Sequence, residues 1–96
     1  MRIFSIRHKG LRRLIERNDA RGLPPQHVER ITVRIAAIVN ARDIDDWLSQ
    51  PLGRPHALKG DRKGDYAVSV SANMRITFTY DGEAIAALDL DFEDYH

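Results

Sequence analysis

The chain has no cysteine in its 96 residues, which excludes disulfide scaffolds, thiol nucleophiles and cysteine-ligated zinc and suits a cytoplasmic protein. No apolar run approaches the ~20 residues of a membrane span. The opening Met1-Arg-Ile-Phe-Ser-Ile-Arg7 lacks the apolar centre of a secretory signal. Metal-ligand spacings such as H-x-x-x-H and H-E-x-x-H are missing, so no metal or cofactor is expected. No serine stands in a nucleophile elbow, and the glycines have no Walker spacing, which disfavours serine hydrolases and nucleotide P-loops. Repeats, low-complexity stretches and linkers are also lacking, and the length implies one domain over 1–96. Chains this small bury roughly 60–70% of the surface their unfolded form exposes, enough for a modest core but not for a deep substrate cavity.

What is present is globular in composition, with 43% hydrophobic and 30% charged residues. The net charge of +1 hides a strong asymmetry. Residues 1–63 hold 14 of the 15 Lys/Arg and 7 of the 14 Asp/Glu, a balance of +7; residues 64–96 hold Arg75 and the other 7 acids, a balance of −6. A basic first two-thirds fits a polyanionic partner, and it equally fits two solvated faces that partly neutralise each other.

Periodicity divides the chain into helices followed by strands. Arg2–Ile6 reads as a short strand. Leu11, Leu14 and Ile15 mark an amphipathic helix ending before Gly22. Pro24-Pro25 then opens a second helix over about 25–41, with Val28, Ile31, Ile35, Ile38 and Val39 as its apolar stripe. Asp43 is placed to cap a third helical turn carrying Ile44, Trp47 and Leu48, where Trp47 reads as core rather than as a base-stacking platform. His8 and His27, beside the helix starts, read as surface residues. From Tyr66 the period becomes two, and three alternating strands follow with even-numbered residues inward. Parity favours a loop at Ser71-Ala72-Asn73, left-handed at Asn73, which sets Ser69 opposite Arg75. It also favours a loop at Tyr80-Asp81-Gly82, left-handed at Gly82, which sets Phe78 opposite Ala84 and Ile76 opposite Ala86. The expected architecture is α+β, two N-terminal helices on one face of an antiparallel sheet. The odd-numbered face, with Ser69, Arg75 and Thr77, is left polar and open as a working surface.

Two segments gather reactive groups. Residues 54–65 form a glycine-interrupted basic loop with His56, Lys59, Arg62 and Lys63, read either as a solvated loop or as a holder of substrate phosphates. The chain ends Glu93-Asp94-Tyr95-His96, read either as a frayed tail or, through pairing of the preceding strand, as a held cluster. Two histidines, a tyrosine, an aspartate and several cations suit metal-free cleavage of RNA by its own 2′-hydroxyl. That reaction needs a base for the 2′-OH proton, an acid for the leaving 5′-oxygen, and cations for the extra charge of the transition state. Imidazole, with a pKa of about 6.5, serves the first two, and Lys and Arg serve the third. The reading requires that His56 and His96 meet over an outward-facing Arg75.

At these residues the sequence resembles the HigB-type toxins of the RelE/ParE superfamily. The matching segments are Arg7-His8-Lys9-Gly10-Leu11, His56-Ala57-Leu58-Lys59-Gly60-Asp61-Arg62-Lys63-Gly64, Asn73-Met74-Arg75-Ile76-Thr77-Phe78 and Glu93-Asp94-Tyr95-His96. They come in the family's order and cover almost the whole chain. The resemblance implies a RelE/ParE-like microbial RNase fold and a ribosome-dependent endoribonuclease that cuts translated mRNA in the A site. It implies a HigA-like helix-turn-helix antitoxin as partner, with operator DNA reached only through the antitoxin complex. The family's active-site positions fall on His56, Lys59, Arg75, Asp94, Tyr95 and His96. His96 or His56 is then the general base, Lys59 and Arg75 stabilise the phosphate, and Asp94 orients a neighbour. Arg12, Arg13, Arg17, Arg30, Arg34, Arg62 and Lys63 become candidates for RNA and ribosome contact, with Arg21 beside them. Three departures stand out: Ala57 in place of a usual proline, Tyr66 and Met74 in place of common tryptophans, and Asp89 and Asp91, which make the approach to Asp94 acidic. Gyrase-poisoning relatives share the fold, so the competing readings are a non-catalytic toxin and an inactive antitoxin- or RNA-binding relative.

Overall fold

The computed structural model describes residues 1–95. Helix α1 spans Lys9–Arg17, and His8 is its N-cap. The His8 Nδ1 accepts hydrogen bonds from the main-chain N–H of Gly10 at 3.0 Å and of Leu11 at 3.3 Å, serving two donors that the first helical turn leaves unpaired. The helix ends at Asn18, left-handed at φ +54°, a conformation that asparagine tolerates. A 3₁₀ turn, Pro25–His27, leads into α2, Val28–Asn40. The amino group of Met1 donates to the carbonyls of Ile38, Val39 and Ala41 and so caps the negative end of α2. Helix α3, Ile44–Leu48, begins at Asp43, whose side chain accepts from the Asp46 N–H.

The strands are β1 (Arg2–Ile3), β2 (His56–Ala57), β3 (Asp65–Ser69), β4 (Met74–Asp81) and β5 (Ala86–Asp94). They form one sheet in the order β1-β5-β4-β3-β2. Pairing is antiparallel from β3 through β5, as the alternation implied; β2, in the stretch read as a loop, also pairs antiparallel with β3, and β1 joins β5 in parallel, so the sheet is mixed. Leu11, Ile31, Ile35 and Ile38 of the helices meet Val68, Val70, Ile76, Phe78, Leu90 and Phe92 of the sheet. Trp47 is fully buried among them, edge-on to Phe78 with ring centroids 4.9 Å apart. Tyr66 stacks on Phe78 and meets Trp47 edge-on, completing an aromatic cluster. Gly10 is required by a close crossing: a Cβ there would stand 2.3 Å from the Gly22 carbonyl oxygen.

Several sequence expectations are corrected. Val39 is exposed rather than part of the α2 stripe. His8 and His27 are half-buried, both edge-on to Phe92, rather than surface residues. The β3–β4 connection keeps the expected pairing of Ser69 with Arg75, but Asn73 is not left-handed. Instead the Ser71 hydroxyl accepts from the Met74 N–H and closes the loop. The β4–β5 hairpin differs more. Strand β4 runs on to Asp81, and residues 82–85 form the loop, with the left-handed residue at Ile85 (φ +51°) rather than Gly82. Ile76 therefore faces Phe92, not Ala86. A bulge between the Thr77–Asp91 and Thr79–Leu88 pairs, with Asp89 at φ +53°, inserts one residue. Before it Ala87 pairs with the inward Tyr80, and after it Leu90 and Phe92 are inward, so the even-inward rule fails for the first part of β5. The bulge also turns Asp89 towards Ser5 and Arg7, away from the chain end it was expected to acidify.

Candidate active site

Two rows of the sheet build the site. On the face opposite the helices, Ser69, Arg75 and Glu93 pair across β3, β4 and β5. One step along, His56, Ala67, Thr77 and Asp91 pair across β2 to β5. His56 and Arg75 are thus two strands apart, roughly 10 Å across the sheet.

An open cleft of about 590 Å³ lies at this end, walled by Arg54, Pro55, His56, Ser69, Ser71, Ala72 and Tyr95. The basic loop and the chain end therefore each supply a group to one cleft, His56 and Tyr95. Residue 95 is held rather than frayed: its N–H donates to the Asn73 carbonyl at 3.0 Å, extending the β4–β5 pairing, and its hydroxyl hydrogen-bonds the Ser69 hydroxyl. Ser69 also bonds through its main chain to the other wall, its N–H donating to the Gly53 carbonyl at 2.7 Å. One small residue, which the sequence reading placed on the polar working face opposite Arg75, thus ties both walls together.

Arg75 does not stand free on an open face. Its side chain is only 14% exposed, with its guanidinium 5.2 Å from the centre of the Tyr95 ring. Its Nε donates to Glu93 Oε1 at 3.0 Å, and Nη2 lies 2.9 Å from the same oxygen. Arg62 reaches that oxygen too, at 2.5 Å, and bonds Asp65 at 3.2 Å; Asp65 in turn accepts from Thr79 at 2.6 Å. The hydrogen bond to Glu93 is the main cause of the Arg62 guanidinium's raised pKa. An ion-pair chain thus crosses the face expected to be open. It anchors the basic loop, and Arg62 is committed to two carboxylates. The sequence reading saw Glu93 only as part of the terminal cluster and missed its pairing with Arg75, because that pairing depends on the bulged register.

The other candidates are placed as follows. Lys59 is exposed at the start of the 3₁₀ turn Gly60–Arg62, outside the cleft walls, and Lys63 is exposed just after that turn. Asp94 pairs with Met74, in the row next to that of Arg75, and its Oδ1 accepts from the Tyr95 N–H at 3.0 Å. His96 lies outside the described residues.

Residues 4–96 match the family described as HigB-like toxin, the RelE-like toxin of the type II toxin-antitoxin system HigB. The chain belongs to the HigB-like toxin family. It is also similar to a Proteus vulgaris protein named Endoribonuclease HigB, 43% identical over 95 residues, which span 98% of this chain and 99% of that one. Among solved structures it is similar to a YoeB/ParE toxin from Agrobacterium tumefaciens, with a TM-score of 0.58 at 21% identity over 97% of this chain and 99% of that one. A YoeB-YefM complex from Staphylococcus aureus gives 0.54 at 18% identity, over 100% and 99%. At such identities these two establish the RelE/ParE-like fold alone.

In this HigB-like toxin the basic helical residues fall on two separate surfaces. Arg12, Arg13 and Arg17 line a groove on α1 with Lys9 and Glu16. Arg30 and Arg34 line another on α2, and Arg34 also binds the Ser69 carbonyl through Nε at 2.9 Å, linking α2 to the cleft. Arg21 is held by Asp19 through two nitrogens.

Glu93→Gln tests the ion-pair chain. It leaves two guanidinium groups side by side without their shared carboxylate, so stability is expected to fall by about 1–3 kcal/mol. The measurement is the urea midpoint at unchanged slope. An unmoved midpoint would show that solvent already screens the pair.

Proposed function

We propose that this toxin is a ribosome-dependent endoribonuclease that cleaves translated mRNA in the A site by attack of the 2′-hydroxyl on the adjacent phosphate. The observation that carries the reading is the cleft: an imidazole from the basic loop and a phenol from the chain end both line it. The relative at 43% identity carries the endoribonuclease name. The proton inventory closes on the chain's own residues. His56 or His96 accepts the 2′-OH proton, and the other histidine or Tyr95 delivers one to the leaving 5′-oxygen. Arg75 and Lys59 offset charge at the phosphate, and Asp94 holds its neighbour Tyr95 in place. The open cleft agrees with a message presented by the ribosome. The α1 and α2 basic surfaces are suited to rRNA backbone contacts, which give affinity without sequence selectivity.

The reading extends to partners. As a type II toxin this protein is paired with an antitoxin, which we take to be a HigA-like helix-turn-helix protein that alone carries the complex to operator DNA. The described residues contain no helix long and apolar enough to cross a membrane. The ribosome would place the activity in the cytoplasm.

The test is induction in cells with mapping of message 5′ ends. Wild type is expected to yield cuts in frame with translation, and His96→Ala to abolish them. Growth arrest without message cleavage, persisting in His96→Ala, would overturn the nuclease reading in favour of a gyrase-poisoning toxin.

A further inference from the structure

His56 enters the cleft from a turn with unusual geometry. Gly53 and Arg54 are both left-handed, at φ +79° and +55°. Glycine accepts this conformation, whereas a long side chain such as arginine is sterically disfavoured there. The turn is pinned from outside. The Gly53 carbonyl accepts the Ser69 N–H, and a Cβ on Gly53 would stand 2.6 Å from Arg34 Nε and from Val68 Cγ2. The consequence appears at the next residue: the Arg54 carbonyl oxygen lies 2.7 Å from His56 Nδ1. A carbonyl only accepts, so Nδ1 carries the proton, and Nε2 of the neutral ring is left as the basic nitrogen.

The Arg54 side chain has a second property. Of the described residues that wall the cleft, Arg54 is the one with a fixed positive charge. The cations deeper in the sheet are already matched, Arg75 to Glu93 and Arg62 to Glu93 and Asp65. Arg54 is therefore the fixed cation of the described wall residues that is left to meet a phosphate in the cleft.

We propose that Arg54 is a further residue of the RNA site, with two functions. Its main-chain carbonyl sets the tautomer of His56, and its guanidinium binds a phosphate of the RNA strand. The inference deepens the endoribonuclease reading and rests on it for the role of the strand, but not for the tautomer. Strain at Arg54 is then functional: the left-handed backbone is what turns the carbonyl onto the ring.

Two variants separate the functions, because both lack the guanidinium and only one permits the turn. Arg54→Gly allows a positive φ; Arg54→Pro forbids it. The first readout is the His56 tautomer by long-range ¹H–¹⁵N correlation in the full chain, above the pH at which the ring titrates. Wild type and Arg54→Gly are expected to show the Nδ1–H form, and Arg54→Pro to shift towards Nε2–H. The second readout is binding of a short oligoribonucleotide made uncleavable by 2′-O-methylation of every sugar. Arg54→Gly is expected to weaken binding about tenfold. It should also flatten the log–log salt slope by about 0.7. An Nε2–H ring in wild type, or an Nδ1–H ring that survives in Arg54→Pro, would overturn the positioning role. Unchanged affinity and salt slope in Arg54→Gly would overturn the phosphate contact. Should Arg54→Pro fail to fold, the wild-type tautomer and the Arg54→Gly affinity still decide both. If wild type binds the oligonucleotide and shows the Nδ1–H ring but cuts no message, the nuclease reading fails while the assignment of Arg54 to an RNA site stands.

Discussion

Replacing His56 by alanine is expected to reduce message cleavage by about 10²–10⁴-fold, the usual contribution of a positioned acid–base group. The fold should not notice. His56 is exposed on β2, a two-residue strand at the sheet edge, and the one described hydrogen bond of its side chain is to the Arg54 carbonyl. Substitutions at such positions change stability by no more than about 0.5 kcal/mol. The measurement pairs a cleavage rate in a reconstituted translation reaction with urea unfolding of the same preparation. Full cleavage by a folded His56→Ala protein would remove this imidazole from the chemistry and leave the chain end to supply both proton transfers. Loss of cleavage together with a large fall in stability would show that β2 holds the fold rather than the substrate.

The opposite pattern is expected at Trp47. Its side chain has no solvent exposure and is packed against Phe78 and Tyr66. Trp47→Ala removes that area from the core and leaves a cavity, a change that costs about 3–5 kcal/mol. Domains of this kind are stable by only about 5–15 kcal/mol in total, so the variant is expected to be largely unfolded at growth temperature if the wild type lies at the low end. The urea midpoint reports this directly, and Trp47→Phe should recover part of the loss by refilling the space. Trp47 lies on the helix side of the sheet and outside the cleft walls, so whatever fraction folds should cleave normally. A midpoint displaced by less than the equivalent of about 1 kcal/mol would mean the aromatic cluster collapses around the gap. Together the two substitutions separate what makes the fold from what does the chemistry.

Much of this molecule was legible in its sequence because local rules carry it. Apolar spacing placed the helices, and the Asp43 cap marked the start of α3 where it lies. Alternation identified β3 and β4 and the face bearing Ser69 and Arg75, because side chains in a strand cannot avoid a period of two. The pairing of Ser69 with Arg75 also followed from parity across a short loop. The same reasoning misplaced the β4–β5 hairpin. Parity assumes an uninterrupted strand, and the inserted residue at Asp89 has no local signature strong enough to reveal it.

The candidate site divides along the same line. The residue types of RNA cleavage, and the two segments that carry them, were visible in the chain as two histidines, a tyrosine and clustered cations. Tertiary structure decided which of these groups are available. Glu93 reaches Arg75 and Arg62 only because the bulged register sets β5 beside β4 as it does, so two expected phosphate-binding cations are already paired. His56 and Tyr95 are brought to one cleft with the help of Ser69, which bonds the turn before β2 with its main chain and the phenol with its side chain. The left-handed Arg54 follows a Gly53 that Arg34, Val68 and Ser69 crowd from distant parts of the chain. Such contacts join residues far apart in the chain, and their free energy arises only once the sheet and helices have closed on one another. Composition and periodicity report what each segment prefers by itself; the pairing of charges and the aim of a carbonyl are properties of the assembled whole.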